Sequence, residues 1–314
     1  MTLLAHDRPV LAAPLTTEAA ILRALLYADV FNYPLTLAEL HRYLVGEKSS
    51  PTDLQALIES SAWLAGRILR AENFFALAGR VEVIELRQRR APLADRLWQI
   101  ARWYGGLIAH LPFVRLVAVT GALAMDNVGA ADDIDFLVVT TPGRVWLARM
   151  WIIGVVRLAR QIGVQLCPNY ILAGTVLEQT QHDLFMAHEI VQMVPLAGHN
   201  LYCQMRVANA WVTDFLPNAD SLPRPEPDRS PGGPGLWLQR LAESWLGGRL
   251  GDRLERWERK RKLVKFGAQL RQAGSAAVLD EAQVKGHFND YGHKAMAAYE
   301  MRCRAWGILP IHST

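Results

Sequence analysis

Two apolar strands joined through a glycine turn, the second preceded and entered by alternating carboxylates, constrain this chain more than any other stretch. Residues 120–141 read TGALAMDNVGAADDIDFLVVTT. The valine-rich run at 113–120 predicts one strand and Ile134 to Val139 a second, so Gly121, Asp133 and Asp135 fall at strand ends. Side chains at i and i+2 of a strand share a face, which turns Asp133 and Asp135 the same way and sends Ile134 and Phe136 into a core. Two carboxylates so close repel unless a proton or a cation separates them. Hard oxygen ligands of this kind suit magnesium, which completes its shell with waters and substrate phosphates. The competing reading of the acidic run is a solvated strand end after a loop.

Composition sets the outer bounds. A chain of 314 residues with 51% apolar and 20% charged residues has the make-up of a soluble globular protein with room for two domains. The formal charge of +4 favours anionic ligands such as nucleotides and is too small to argue for wrapping DNA. Cys167, Cys203 and Cys303 lie far apart with no C-x-x-C pairing, so neither zinc nor a disulfide framework is suggested, and a reducing cytoplasm is the expected location. No secretory signal pattern opens the chain. The apolar stretch 145–164 contains Arg149, Arg157 and Arg160, which would be costly in a bilayer. It is expected to be a helix packed on the sheet, and no membrane partner is expected.

Gly121 and Ala122, ten intervening residues, then Asp133, Ile134 and Asp135 on an apolar strand resemble the signature of the DNA polymerase β-like nucleotidyltransferase superfamily. The longer context, with LYADVFNYPLT near the start and NAWVTDFLPN further on, resembles bacterial proteins that fuse a small helical domain to such a core. The resemblance implies an α+β fold with a nucleotidyltransferase-like mixed sheet flanked by helices. It implies transfer of a nucleoside monophosphate from a magnesium-bound nucleoside triphosphate to an acceptor hydroxyl, with pyrophosphate release. Asp133 and Asp135 would be the catalytic and metal-binding residues, for one or two Mg2+ ions, and Thr120, Gly121, Ala122 and Asn169 would frame the nucleotide. The chain departs from the pattern twice. Ala122 stands where most members have serine, and the strand that should bring a third carboxylate reads CPNYILAGTV, with Asn169 and no acid. An amide ligates through its oxygen but is no base at neutral pH. Glu178, Asp183 and Glu189 are the nearest acids in sequence. The acceptor stays open, as does the choice among an enzyme, a catalytically impaired nucleotide- or partner-binding protein of the same fold, and a winged-helix DNA-binding regulator.

Four segments are expected. Residues 1–85 read as a winged-helix-like domain: a helix around Ile21 to Val30, a second capped by Thr36 with Glu39, a third starting at Ser50-Pro51, then two strands about Glu72-Asn73. The third helix would expose Thr52, Asp53, Gln55 and Glu59, and acidic side chains suit a groove of phosphates poorly, so nucleic acid is not an expected partner. Residues 86–216 form the expected catalytic core, entered by a helix whose Arg87, Arg89 and Arg90 suit either a solvated helix start or a triphosphate. Residues 217–235 are a Pro/Gly-rich linker expected to be mobile. Residues 236–314 are expected as a helical domain closing over the cleft, with a long helical region at 236–265 that becomes strongly basic and Trp237, Trp245 and Trp257 in its core. His182 and His188 are expected on the surface, and His287, Asn289 and Asp290 as a capping cluster.

Overall fold

The helical spacing of Ile21, Leu22, Leu25 and Leu26 is realised in α1 (Thr16–Val30), where all four are buried. The computed structural model describes residues 16–129, 132–270, 278–285 and 291–311, so the expected cluster at His287, Asn289 and Asp290 lies outside the described residues. Asn32, with φ of 52°, turns the chain out of α1 toward β1 (Leu35–Thr36) and α2 (Leu37–Arg42). The capping box forms: the Thr36 hydroxyl accepts from the Glu39 N–H at 3.3 Å, and the Glu39 carboxylate accepts from the Thr36 N–H at 2.8 Å. Ser50 caps α3 (Pro51–Ser60) by accepting from the Asp53 N–H at 3.1 Å. After α4 (Ala62–Ala65), β2 (Ile68–Ala71) and β3 (Phe74–Leu77) make the expected hairpin, and β1 joins it in an antiparallel sheet of order β1-β3-β2.

Arg87, on the long helix α5 (Glu82–Ala109), locks this unit to the rest. It donates to both Glu39 carboxylate oxygens at 2.7 and 2.8 Å and to the Pro34 carbonyl at 2.5 Å, with its guanidinium over the Tyr33 and Phe74 rings. Burial alone would raise the Glu39 carboxyl; the Arg87 bonds outweigh it and hold the group below the usual carboxylate range. Arg87 is therefore neither a solvated helix start nor free for phosphate. Arg87→Ala is expected to destabilise the protein by about 2 kcal/mol, between the limits for exposed and fully buried pairs. Urea unfolding of the two proteins measures it.

The second sheet is built from β4 (Val114–Thr120), β5 (Ile134–Thr140), β6 (Leu166–Ala173) and β7 (Val194–Ala197). Between them run α6 (Gly121–Ala124), α7 (Val145–Gln161) and α8 (Leu184–Gln192), and α9 (His199–Ala208) and α10 (Val212–Phe215) follow. Two helices, α11 (Gly233–Leu246) and α12 (Arg249–Leu270), precede the short β8 (Val278–Leu279) and β9 (Gln283–Lys285), and α13 (Tyr291–Ala305) closes the described chain. Strand order among the described residues is β7-β4-β5-β6-β9-β8, with β5 and β6 parallel and the other pairs antiparallel. The fold is thus α+β with a mixed sheet.

Period-2 alternation divides this sheet between two cores. Val117, Val119, Ile134, Phe136 and Val138 face α5 and α7, where Trp98 and Trp146 are buried. Leu116, Ala118, Leu137, Val139 and Leu172 face the other way, into a cluster that runs without a break from Ile21 and Leu25 of α1 to Tyr299 and Cys303 of α13. The unit from α1 to β3 therefore shares a core with the central sheet.

The C-terminal part differs from the expected helical domain. β8 and β9 extend the sheet beyond β6, because Asp280 accepts from the Ala282 and Gln283 N–H groups at 2.7 and 2.8 Å and turns the chain back on itself. The helical region expected at 236–265 is made of two helices, since Gly247 and Gly248 separate α11 from α12. Trp237, Trp245 and Trp257 are exposed rather than core residues, for the inward face of these helices is occupied by polar side chains that bond to the body of the protein. The Pro/Gly-rich segment is pinned: Glu226 accepts two bonds from Arg102 at 2.8 and 2.9 Å, Arg224 pairs with Asp126 at 2.9 Å, and the Arg229 N–H donates to the Leu196 carbonyl at 2.8 Å.

Candidate functional site

The first residues of the site are set by strand register. Thr120 ends β4 opposite Asp135 in the antiparallel ladder, and on the other side of β5 Asp135 lies opposite Cys167 of parallel β6. Gly121 follows at once with φ of 65°, a conformation that only glycine adopts readily, and a Cβ there would overlap the Asp135 carboxylate. The turn is thus shaped to leave room for that carboxylate. Asp133 stands exposed just ahead of β5, Ala122 opens α6, and Asn169 comes in from β6, where its side-chain amide donates to Asp135 Oδ1. All six residues expected from the sequence therefore gather at one end of β4, β5 and β6.

Cys167 completes the group. Ligand atoms of Asp133, Asp135 and Cys167 lie within 4.8 Å of one another, and the Cys167 thiol donates to Asn169 Oδ1 at 2.8 Å. Burial, joined by the charges of Asp133 and Glu189, pushes the Asp135 carboxyl up to about 8, against the pull of the bonds from Asn169 and Cys167. Burial and the charges of Asp135 and Asp133 push the Cys167 thiol well above its ordinary range. Without a cation the thiol thus keeps its proton and acts as a donor to Asn169. The two carboxylates are hard donors, and a divalent cation between them would favour the ionised form of Asp135 against the burial and, after it, the neighbouring charges that keep it protonated. The donor set fits magnesium.

Glu189, half-buried on α8, is the acid that the neighbouring elements bring toward this cluster. With Thr120, Leu137, Tyr170 and Gln179 it lines a cavity of about 10 Å³, room for roughly one water. Burial pushes its carboxyl up to about 7. The other two acids near in sequence are placed elsewhere: Asp183 caps α8 by accepting from the Met186 N–H at 2.8 Å, and Glu178 is exposed. His188 is buried, not on the surface, because its ring stacks on Tyr27 at 4.0 Å; burial and the nearby Arg42 charge push it down to about 3, so it is a neutral core side chain. His182 stacks on Trp211.

The loop from α6 to β5 is held at its start. Asp126, with φ of 53°, accepts from the Trp98 indole N–H at 2.6 Å and pairs with Arg224, whose guanidinium lies over the Trp98 ring at 4.5 Å. Asn127 accepts from Arg90 at 2.6 Å and donates to the Phe31 carbonyl at 3.0 Å. Three parts of the chain far apart in sequence thus fix where the carboxylates emerge. A larger groove of about 440 Å³ opens at the opposite end of β4 and β5, lined by Arg115, Thr140, Thr141, Gly174 and Gly198. Its one charged group, Arg115, is committed to both Glu243 oxygens at 2.8 Å, so size points there and chemistry points to the carboxylates.

Sequence reasoning passed over Cys167 as a member of the site, although it sits two positions before Asn169 on a strand, the spacing that shares a face. Comparison of the chain with descriptions of protein families, with curated proteins and with solved structures finds no match in any of the three. Among the described residues, no helix is long and apolar enough to cross a membrane.

Proposed function

We propose that this chain is a nucleotidyltransferase of the DNA polymerase β-like superfamily, with a winged-helix-like unit at its start, that moves a nucleoside monophosphate from a triphosphate to an acceptor hydroxyl. The observation that carries this reading is the positive-φ Gly121 turn fitted against Asp135, with Asp133 and Cys167 in the same cluster. In the reaction a bond forms between the acceptor oxygen and the α-phosphorus, the bond to pyrophosphate breaks, and the acceptor proton must be taken up. Magnesium, when bound, supplies neutralisation of the charge that develops on the phosphate oxygens.

Asp133 and Asp135 hold the cation, and Asn169 orients Asp135 through the bond it donates. Gly121, without a side chain, lets the triphosphate approach the backbone, and Thr120 and Ala122 frame the turn. The absent third carboxylate leaves the proton to another group, and Glu189, which titrates near neutrality beside Thr120, is assigned it.

The test is release of pyrophosphate from each nucleoside triphosphate with magnesium and a panel of hydroxyl acceptors. The rate should rise with pH through about 7 as Glu189 loses its proton. Glu189→Gln should lower kcat by about a hundredfold or more and abolish that limb of the profile. An unchanged profile in the variant removes Glu189 from the reaction. Asn169 in the third ligand position favours a second reading, a protein that binds nucleotide without turnover, and magnesium-dependent binding with no release from any acceptor would select it. The outward residues of α3, Thr52, Asp53, Gln55 and Glu59, are exposed and lack a cation, which supports a packing role for the N-terminal unit over DNA reading.

A further inference from the structure

The two helices after the pinned segment present an apolar and basic face that nothing among the described residues covers. On α11, Trp237 is 63% and Trp245 77% exposed, with Leu241 between them at helical spacing. On α12, Leu250, Arg253, Trp257, Lys260 and Val264 follow one another at intervals of three and four, and Trp257 and Val264 are 55% and 78% exposed. α7, against which α12 packs, adds an exposed stripe of Trp151, Leu158 and Ile162 flanked by Arg157 and Arg160.

The acids of α11 and α12 all have partners, and Asp252 keeps 47% of its side chain exposed. Glu243 accepts from the Phe113 N–H at 2.6 Å and pairs with Arg115, and Asp252 pairs with Arg144 at 2.7 Å. Glu255 accepts from the Trp146 and Leu147 N–H groups at 2.9 and 2.7 Å, and buried Glu258 pairs with Arg261 and Lys262. The outer side keeps Arg240, Arg249, Arg253, Arg256 and Lys260, all exposed and paired with no carboxylate among the described residues. The carboxylates of these helices are thus all engaged, while five of their exposed cations pair with no carboxylate among the described residues.

We propose that this face docks on an anionic lipid surface, with the tryptophans and leucines at the headgroup boundary and the arginines on lipid phosphates. Tryptophan and arginine are the side chains that suit such a boundary, apolar at one end and polar at the other. Charge complementarity selects the occupant. A second copy would set two basic faces against each other, and nucleic acid would find no use for Leu238, Leu241, Leu250 and Val264, whereas acyl chains take up aliphatic groups. The sequence expectation of no membrane partner weighed only a membrane span, and a helix lying in the interface needs none.

Sedimentation of the full chain with vesicles of phosphatidylcholine alone and of phosphatidylcholine mixed with phosphatidylglycerol tests this. Binding is expected to the mixed vesicles only, with a blue shift of tryptophan emission and weakening at high salt. Trp245→Ser with Trp257→Ser, and separately Arg253→Glu with Arg256→Glu, should each lower vesicle affinity on the order of tenfold or more while circular dichroism stays unchanged. The emission shift of the unaltered protein needs no variant and stands as an independent reading. Three results would overturn the proposal: no sedimentation of folded protein with anionic vesicles, binding unchanged in both variant pairs, or a self-association or nucleic-acid affinity that the same substitutions remove in place of vesicle binding.

Discussion

Asp135→Asn is expected to lower pyrophosphate release by roughly a thousandfold and to make the metal-free protein more stable above about pH 8. The first effect follows from removing one of the two proposed ligands of the cation, worth about 4 kcal/mol at the transition state. The second follows from the burial of the Asp135 carboxyl, joined by the charges of Asp133 and Glu189. The folded-state value of Asp135, about 8, lies above that of an ordinary carboxylate, so the folded protein holds this proton more tightly than the unfolded chain does. Stability from the protonated group is fully present below the ordinary carboxylate range and is lost as pH rises through about 8. Asparagine does not ionise, so the variant gains on the native protein across that window and keeps the gain above it. Melting temperatures from pH 4 to pH 9 measure it, at roughly 2–4 °C for each kcal/mol recovered. A variant that is less stable at every pH would show that Asp135 is a structural anchor instead. Saturating magnesium should close the gap, because the proposed site binds it in the folded native protein and not in the variant.

Gly121→Ala is expected to weaken magnesium binding about a hundredfold and to destabilise the fold by roughly 1–2 kcal/mol. The stability loss comes from φ of 65°, where an L side chain is strained. The binding loss has a different source. The added methyl would occupy the space of the Asp135 carboxylate, so this side chain must rotate away from Asp133 and give up the bond from Asn169. Isothermal titration with magnesium separates the two, since strain alone would lower the melting temperature and leave affinity intact. Substitution at Gly143, which also has a positive φ of 73° but nothing within reach of a Cβ, is the matching control for strain without displacement.

What the sequence makes legible is local. The capping box at Thr36 and Glu39, the Ser50-Pro51 helix start and the hairpin about Glu72 and Asn73 each depend on residues three or four positions apart, and all three form. The alternation of Asp133 and Asp135 with Ile134 and Phe136 is equally local, because a strand has a period of two. The remainder depends on encounters between distant segments. Nothing near Arg87 in sequence announces Glu39, and nothing near Asp126 announces Arg224 and Trp98, yet these pairings place the carboxylate loop. Glu189 stands out as a candidate only once α8 is seen against Thr120 and Tyr170. The tryptophans of α11 and α12 read as core by their spacing, and their exposure follows from Gln239, Glu243 and Glu255 taking the inward positions. A proline-rich segment looks mobile by composition until Arg102 and Arg229 fasten it.

Central to the proposed function is that Asp133 and Asp135 act together as a cation and triphosphate site. Its most direct test is calorimetric titration of each nucleoside triphosphate, with and without magnesium, into the native protein and into the Asp133→Asn, Asp135→Asn double variant. Magnesium-dependent binding to the native protein that disappears in the folded double variant is the predicted result. Equal binding to both proteins, or no binding of any triphosphate to the native protein in the presence of magnesium, would contradict it.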